Sequence, residues 1–125
     1  MFLAKSSQNA LVLDPHFEQV AVYSLLDHKK FQVKTFSNPL QASEALAQEN
    51  FDLVFLSCSF SNKKLLNFLD SLKQACKNKI IPLVLVVDFS QSYSIVPGIK
   101  WDNKIALLGS QASAEELDVA LLRLL

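Results

Sequence analysis

The sequence predicts an α/β fold, a three-layer sandwich with one parallel sheet between two layers of helices. Short apolar runs alternate with amphipathic stretches along the chain, the pattern of βαβ units rather than of hairpins. Two of those runs, Phe51 to Leu56 and Ile80 to Val87, are largely apolar at successive positions, as strands buried on both faces must be. The chain has 125 residues, half of them hydrophobic and 19% charged, which suits one domain with a sizeable core.

Ala10-Leu11-Val12-Leu13 reads as the first strand, closed by Asp14-Pro15 because proline cannot continue a central ladder. Pro15 suits the first turn of a helix, where Phe17, Val20, Ala21 and Ser24 share one face, while Val22, Tyr23 and Leu26 lie away from it. Phe31 to Phe36 alternates apolar and polar residues, as an edge strand with one wetter face would. Ser37-Asn38-Pro39 then caps a second helix continued by Leu40, Ala45 and Leu46. Phe51 to Leu56 is the third strand, and Ser57 is the small polar residue at its carboxyl end. Ser61 opens a third helix with an apolar stripe of Leu65, Leu69, Leu72 and Cys76, and Lys63, Lys64, Lys73 and Lys77 solvate its other faces.

Ile80 to Val87 is the fourth strand, apolar enough to be central. Between Asp88 and Asn103 stand Ser90, Ser92, Ser94, Pro97 and Gly98, which predict a short or irregular fourth helix. Lys104 to Leu108 is the fifth strand, and Ser113 with Glu116 forms a capping box for the last helix. There Leu117, Ala120, Leu121 and Leu124 face the sheet, whereas Val119 and Leu122 make a second apolar stripe on a side that water would normally claim.

Composition removes several function classes. The formal net charge is zero, and every basic residue but Arg123 is a lysine, so direct nucleic-acid binding by this domain is not expected. Cys58 and Cys76 form no CxxC and have no histidine at metal-ligand spacing; two buried thiols are expected, with no metal and no cofactor. The first residues lack the apolar core of a signal peptide, and no apolar run approaches membrane-spanning length. The expectation is a cytoplasmic protein without membrane contact. Residues 1–125 read as a single domain, and a further domain beyond Leu125 in a larger protein would account for the apolar finish Leu121-Leu122-Arg123-Leu124-Leu125.

From about Ala10 to Leu125 the chain resembles the receiver (CheY-like, flavodoxin-like) domain of bacterial two-component response regulators. The resemblance rests on Leu11-Val12-Leu13-Asp14-Pro15, Ser37-Asn38 leading to Glu44-Ala45-Leu46, Phe51-Asp52-Leu53-Val54, Ile81-Pro82-Leu83-Val84 and Ser113-Ala114-Glu115-Glu116-Leu117, in that order and spacing. It implies a sheet of order 2-1-3-4-5. It also implies a phosphoryl site in which an aspartate ending the third strand is the nucleophile, an acidic pair holds Mg²⁺, and a hydroxyl and a lysine grip the phosphate.

Carried onto this sequence, those positions fall on Ser57 for the acceptor, on Asp14 with Pro15 for the acidic pair, on Val87 for the hydroxyl and on Ser110 for the lysine. The aromatic that reports phosphorylation falls on Leu107. A serine hydroxyl is a weak nucleophile without an adjacent base. The chain therefore resembles a degenerate pseudo-receiver with a vacated phosphoacceptor site, neither a phosphoacceptor nor an enzyme, and with no catalytic residues.

Asp14, His16 and Ser57 share the predicted rim, the residue types of a Ser-His-Asp site. Gly98 and Gly109 are the only glycines and neither borders Ser57, which leaves no oxyanion hole or strained elbow. A flavin site would need a hydroxyl- or glycine-rich phosphate loop after the first strand, where acid and bulk stand instead. The expected function is phosphorylation-independent protein–protein interaction in bacterial signal transduction or transcriptional regulation. Its surface is Phe89, Tyr93 and Trp101 with Leu107, Val119 and Leu122, and its partner is another protein or a second copy in a homodimer. The alternative is a small-molecule sensor that admits an apolar or neutral ligand to the vacated pocket near Ser57.

Overall fold

Five parallel strands form the middle layer: β1 (Gln8–Leu13), β2 (Phe31–Phe36), β3 (Leu53–Ser57), β4 (Leu83–Val87) and β5 (Ile105–Gly109). They lie in the order β2-β1-β3-β4-β5, as expected, in a computed structural model that describes residues 8–26, 31–76, 80–87 and 105–124. The register aligns the strand ends: Leu13 stands beside Phe36 and Leu56, Ser57 beside Val86, and Val87 beside Gly109. All carboxyl ends therefore share one rim.

Every residue of β3 and β4 is buried, whereas β2 and β5 at the edges alternate or stay partly wet. Successive side chains point to opposite faces, and this divides the core in two. Leu11, Leu13, Leu56, Leu85 and Val87 pack with residues of α2 (Pro39–Gln48) and α3 (Asn62–Ala75). Val12, Phe55, Val84, Val86 and Leu108 pack with α1 (Ala21–Ser24) and α4 (Ala114–Leu124).

Helix starts follow local chemistry. The Asn38 side chain accepts from the Leu40 N–H with Pro39 in the first turn, and Ser61 accepts from the Lys64 N–H. At α4 the capping box closes in both directions: Ser113 Oγ accepts from the Glu116 N–H at 3.2 Å, and Glu116 Oε1 from the Ser113 N–H at 3.1 Å. The stripe of α3 is buried at Leu65, Leu69 and Leu72, joined by Phe68, while Cys76 is only half-buried.

The first helix departs from expectation. A short 3₁₀ turn, Phe17–Gln19, gives way to extended backbone at Val20 (φ −102°, ψ 111°) before α1 begins. That interruption resets the helical phase, so Val22, Tyr23 and Leu26 are buried while Ala21 and Ser24 face water. The bond that fixes the new phase is long-range: the Val22 N–H donates to the Ser110 carbonyl at 3.3 Å. The predicted irregular fourth helix lies outside the described residues.

The two faces of α4 should respond differently to truncation. Leu117 is fully buried and Leu122 is 81% exposed. In urea unfolding, Leu117→Ala is expected to cost about 2–5 kcal/mol and Leu122→Ala less than about 0.5 kcal/mol in the monomer.

Candidate functional site

Among the described residues the rim at the strand ends holds one buried acid. Asp14 is 2% exposed, and its backbone N–H donates to the Phe36 carbonyl at 2.9 Å, which continues the β1–β2 ladder by one residue. Its carboxylate is used internally on both oxygens. Oδ1 accepts the His16 N–H at 2.8 Å and Oδ2 accepts the Tyr23 hydroxyl at 2.7 Å. Asp14 thus closes a turn and anchors α1 through a side chain; the 3₁₀ turn has no side-chain cap of its own.

Tyr23 stands edge-on to Phe55, ring centroids 6.2 Å apart at 90°. Burial, then the neighbouring Asp14 charge and its hydrogen bond, hold the phenol far above its ordinary range, so it remains the donor. Sequence reading missed Tyr23 because local periodicity placed it away from the buried stripe. The available signal was chemical: a tyrosine hydroxyl inside an apolar layer needs a partner, and Asp14 is the nearby acid.

Ser57 is 3% exposed, and its Oγ accepts the Ser59 N–H at 3.1 Å, tightening the turn after β3. Among the described residues no acceptor takes its own hydroxyl hydrogen. The neighbouring Cys58 donates its backbone N–H to the Val86 carbonyl at 3.0 Å, and burial pushes its thiol up to about 11. Ser110 closes the rim on the far side, donating its N–H to the Val87 carbonyl at 2.9 Å.

These groups surround a cleft of about 200 Å³ in which Asp14, Ser57 and Ser110 do meet, together with His16, Gln19, Val20, Ser59, Val86 and Gln111. Pro15 and Val87 do not line it. Val87 packs into the α2–α3 layer, and Val86, paired with Ser57, takes the rim place assigned to it. The reason is the strand's period of two: a shift of one residue moves a side chain to the other face. The cleft is also more polar than the vacated pocket expected, because a carboxylate and several hydroxyls and amides form its wall.

Mg²⁺ does not fit this donor set. It takes octahedral oxygen ligands, with one or two carboxylates beside phosphate oxygens, whereas both oxygens of Asp14 already accept internal donors. Among the described residues no three of His, Cys, Asp and Glu converge. Nor do Asp14 and His16 form part of a triad, since the carboxylate binds the backbone N–H of His16.

At the β5 edge, Leu107, Val119 and Leu122 are 51%, 53% and 81% exposed, and Ile105, not anticipated from sequence, is 40% exposed. Ile105, Leu107 and Val119 line a groove of about 690 Å³ between β5 and α4, flanked by Glu115, Glu116 and Arg123. Phe89, Tyr93 and Trp101 of the expected surface lie outside the described residues. No described helix is long and apolar enough to cross a membrane.

Solved structures with the same architecture are receiver domains. The chain superposes on a CheY-like response regulator receiver domain from Methylobacillus flagellatus with a TM-score of 0.73 at 18% identity, covering 96% of this chain and 100% of that one. For the chemotaxis response regulator CheY4 of Vibrio cholerae the TM-score is 0.75 at 17% identity, over 95% and 99% of the two chains. For the receiver domain of a sensor histidine kinase from Pseudomonas aeruginosa, which has a magnesium ion coordinated in its active-site cleft, the TM-score is 0.71 at 13% identity, over 94% and 97%. No protein-family model matches the chain, and no curated protein matches it by sequence. The chain has the receiver fold.

Tyr23→Phe leaves a buried carboxylate short of one donor, and an unfolding free energy lower by about 1–3 kcal/mol is expected in urea. The native state raises the pKa of Tyr23 above its unfolded value, so this contribution is intact below about pH 10 and is lost as pH rises further. Wild type should therefore lose stability above that pH more steeply than Tyr23→Phe does. Separately, Ellman's reagent is expected to modify half-buried Cys76 well before buried Cys58, as read by mass after each interval.

Proposed function

We propose that the chain is a phosphorylation-independent pseudo-receiver, a protein–protein interaction module of bacterial signal transduction or transcriptional regulation that works in the cytoplasm. The observation that carries this reading is the apolar surface at the β5 edge, where Leu107, Val119 and Leu122 stand in water beside one groove. Isolated apolar residues on a surface need no explanation, but several around one groove favour an interface. The charges beside the groove, Glu115 and Glu116 against Arg123, suit a self-complementary contact between two copies.

The rim supports the other half of the proposal. Ser57 offers a weak nucleophile in place of an acid, and Asp14 spends its carboxylate on Tyr23 and His16. With α1 bonded to the rim in this way, the domain holds one conformation and needs no phosphoryl group to select it. It is not an enzyme in this reading, and its partner is another protein or its own copy.

Sedimentation velocity over a range of concentrations tests the interface. Reversible dimerisation is expected, with Val119→Glu/Leu122→Glu monomeric at every concentration; a strictly monomeric wild type removes self-association. Incubation with Mg²⁺ and acetyl phosphate should add no phosphoryl mass, and stable incorporation at any residue defeats the phosphorylation-independent reading.

A further inference from the structure

The rim cleft lies apart from the proposed interface, and its chemistry points to a ligand unlike a phosphoryl group. We propose that it binds a small amino alcohol, with the primary ammonium drawn to Asp14 and the ligand's hydroxyl oxygen accepting from Ser57.

Three observations converge. First, Asp14 is a buried carboxylate with two neutral donors and no cationic partner among the described residues. Buried charge is ordinarily paired, and here the pairing charge is missing on the cleft side. A carboxylate has about four lone-pair sites, so two internal donors leave room for a third. Second, the Ser57 hydroxyl is 3% exposed, lines the cleft, and has an unspent hydrogen while its oxygen is occupied by the Ser59 N–H. It asks for an acceptor, which an ammonium lacks and a hydroxyl oxygen supplies. Third, among the described residues no lysine or arginine lines the cleft; His16, Gln19 and Gln111 stand exposed at its mouth, and the two amides can take the remaining ammonium hydrogens.

The same features exclude other occupants. An anion meets the Asp14 carboxylate with no cationic side chain among the described residues of the cleft to offset it. A divalent ion needs several oxygen ligands, and among the described residues no second carboxylate lines the cleft. A nucleotide or flavin exceeds a cleft of about 200 Å³. A short chain with ammonium and hydroxyl on neighbouring carbons matches both the size and the polarity of the wall.

The test is a ¹H–¹⁵N NMR titration of the full chain at fixed ionic strength with ethanolammonium, ethylammonium, ethylene glycol, Mg²⁺ and inorganic phosphate. Ethanolammonium is expected to give saturable shifts at the Ser57, Ser59 and Ser110 amides and at the Gln19 and Gln111 side chains. Ethylammonium should bind roughly fivefold more weakly, the worth of one hydrogen bond, and ethylene glycol more weakly still. Ser57→Ala should erase the preference for ethanolammonium over ethylammonium without unfolding the domain, and Asp14→Asn should weaken both. Absence of saturable shifts with ethanolammonium, equal affinity for ethylene glycol, tighter binding of Mg²⁺ or phosphate, or an unchanged preference in Ser57→Ala overturns the proposal. The Val119→Glu/Leu122→Glu variant should bind as wild type does, so failure here and failure of the interface reading are separable.

Discussion

A parallel sheet cannot leave either face to water, and the rest of this molecule follows from that constraint. Its strands need crossover connections, the crossovers place helices on both sides, and β3 and β4 end up buried at every position. The two layers divide the core by alternation, with Leu56 and Val87 on one side and Phe55 and Val86 on the other. Little is left for function except the rim where the strands stop and the outer faces of the helices.

On the rim, receiver architecture survives with different chemistry. A phosphoryl site gathers acids and a lysine so that a metal and fixed charges can neutralise the transferring group. Among the described residues here, one buried acid is balanced by Tyr23 and a backbone N–H, and β3 ends on a serine. The tyrosine draws α1 against the end of β1 and meets Phe55 of β3 edge-on. The Tyr23–Asp14 hydrogen bond thus ties the stability of the first helix to the rim.

The last helix shows the opposite balance. Its inward stripe of Leu117, Ala120, Leu121 and Leu124 satisfies the sheet, so the exposure of Val119 and Leu122 is not needed for folding. Apolar side chains held in water on a helix whose core face is already complete are available for a second contact. The domain in this reading keeps the receiver scaffold and moves its function from the rim to the surface.

Much of this was legible from residues alone, because it depends on neighbours in the chain. The sequence determined the alternation of strands and helices, the caps at Asn38, Ser61 and Ser113 and the two stripes of α4, all consequences of short-range hydrogen bonding and fixed periodicity, while the meeting of Asp14, Ser57 and Ser110 at one edge was what the receiver resemblance implied. Tertiary structure alone decided the phase of the helical stretch after Pro15, the choice of Val86 over Val87 at the rim, and the union of Tyr23 with Asp14. A break at Val20 and a bond from Val22 to Ser110 set that phase, and pairing with β3 set the strand end. Each rests on contacts between segments far apart in the chain, and periodicity within one segment carries no record of where its partner lies.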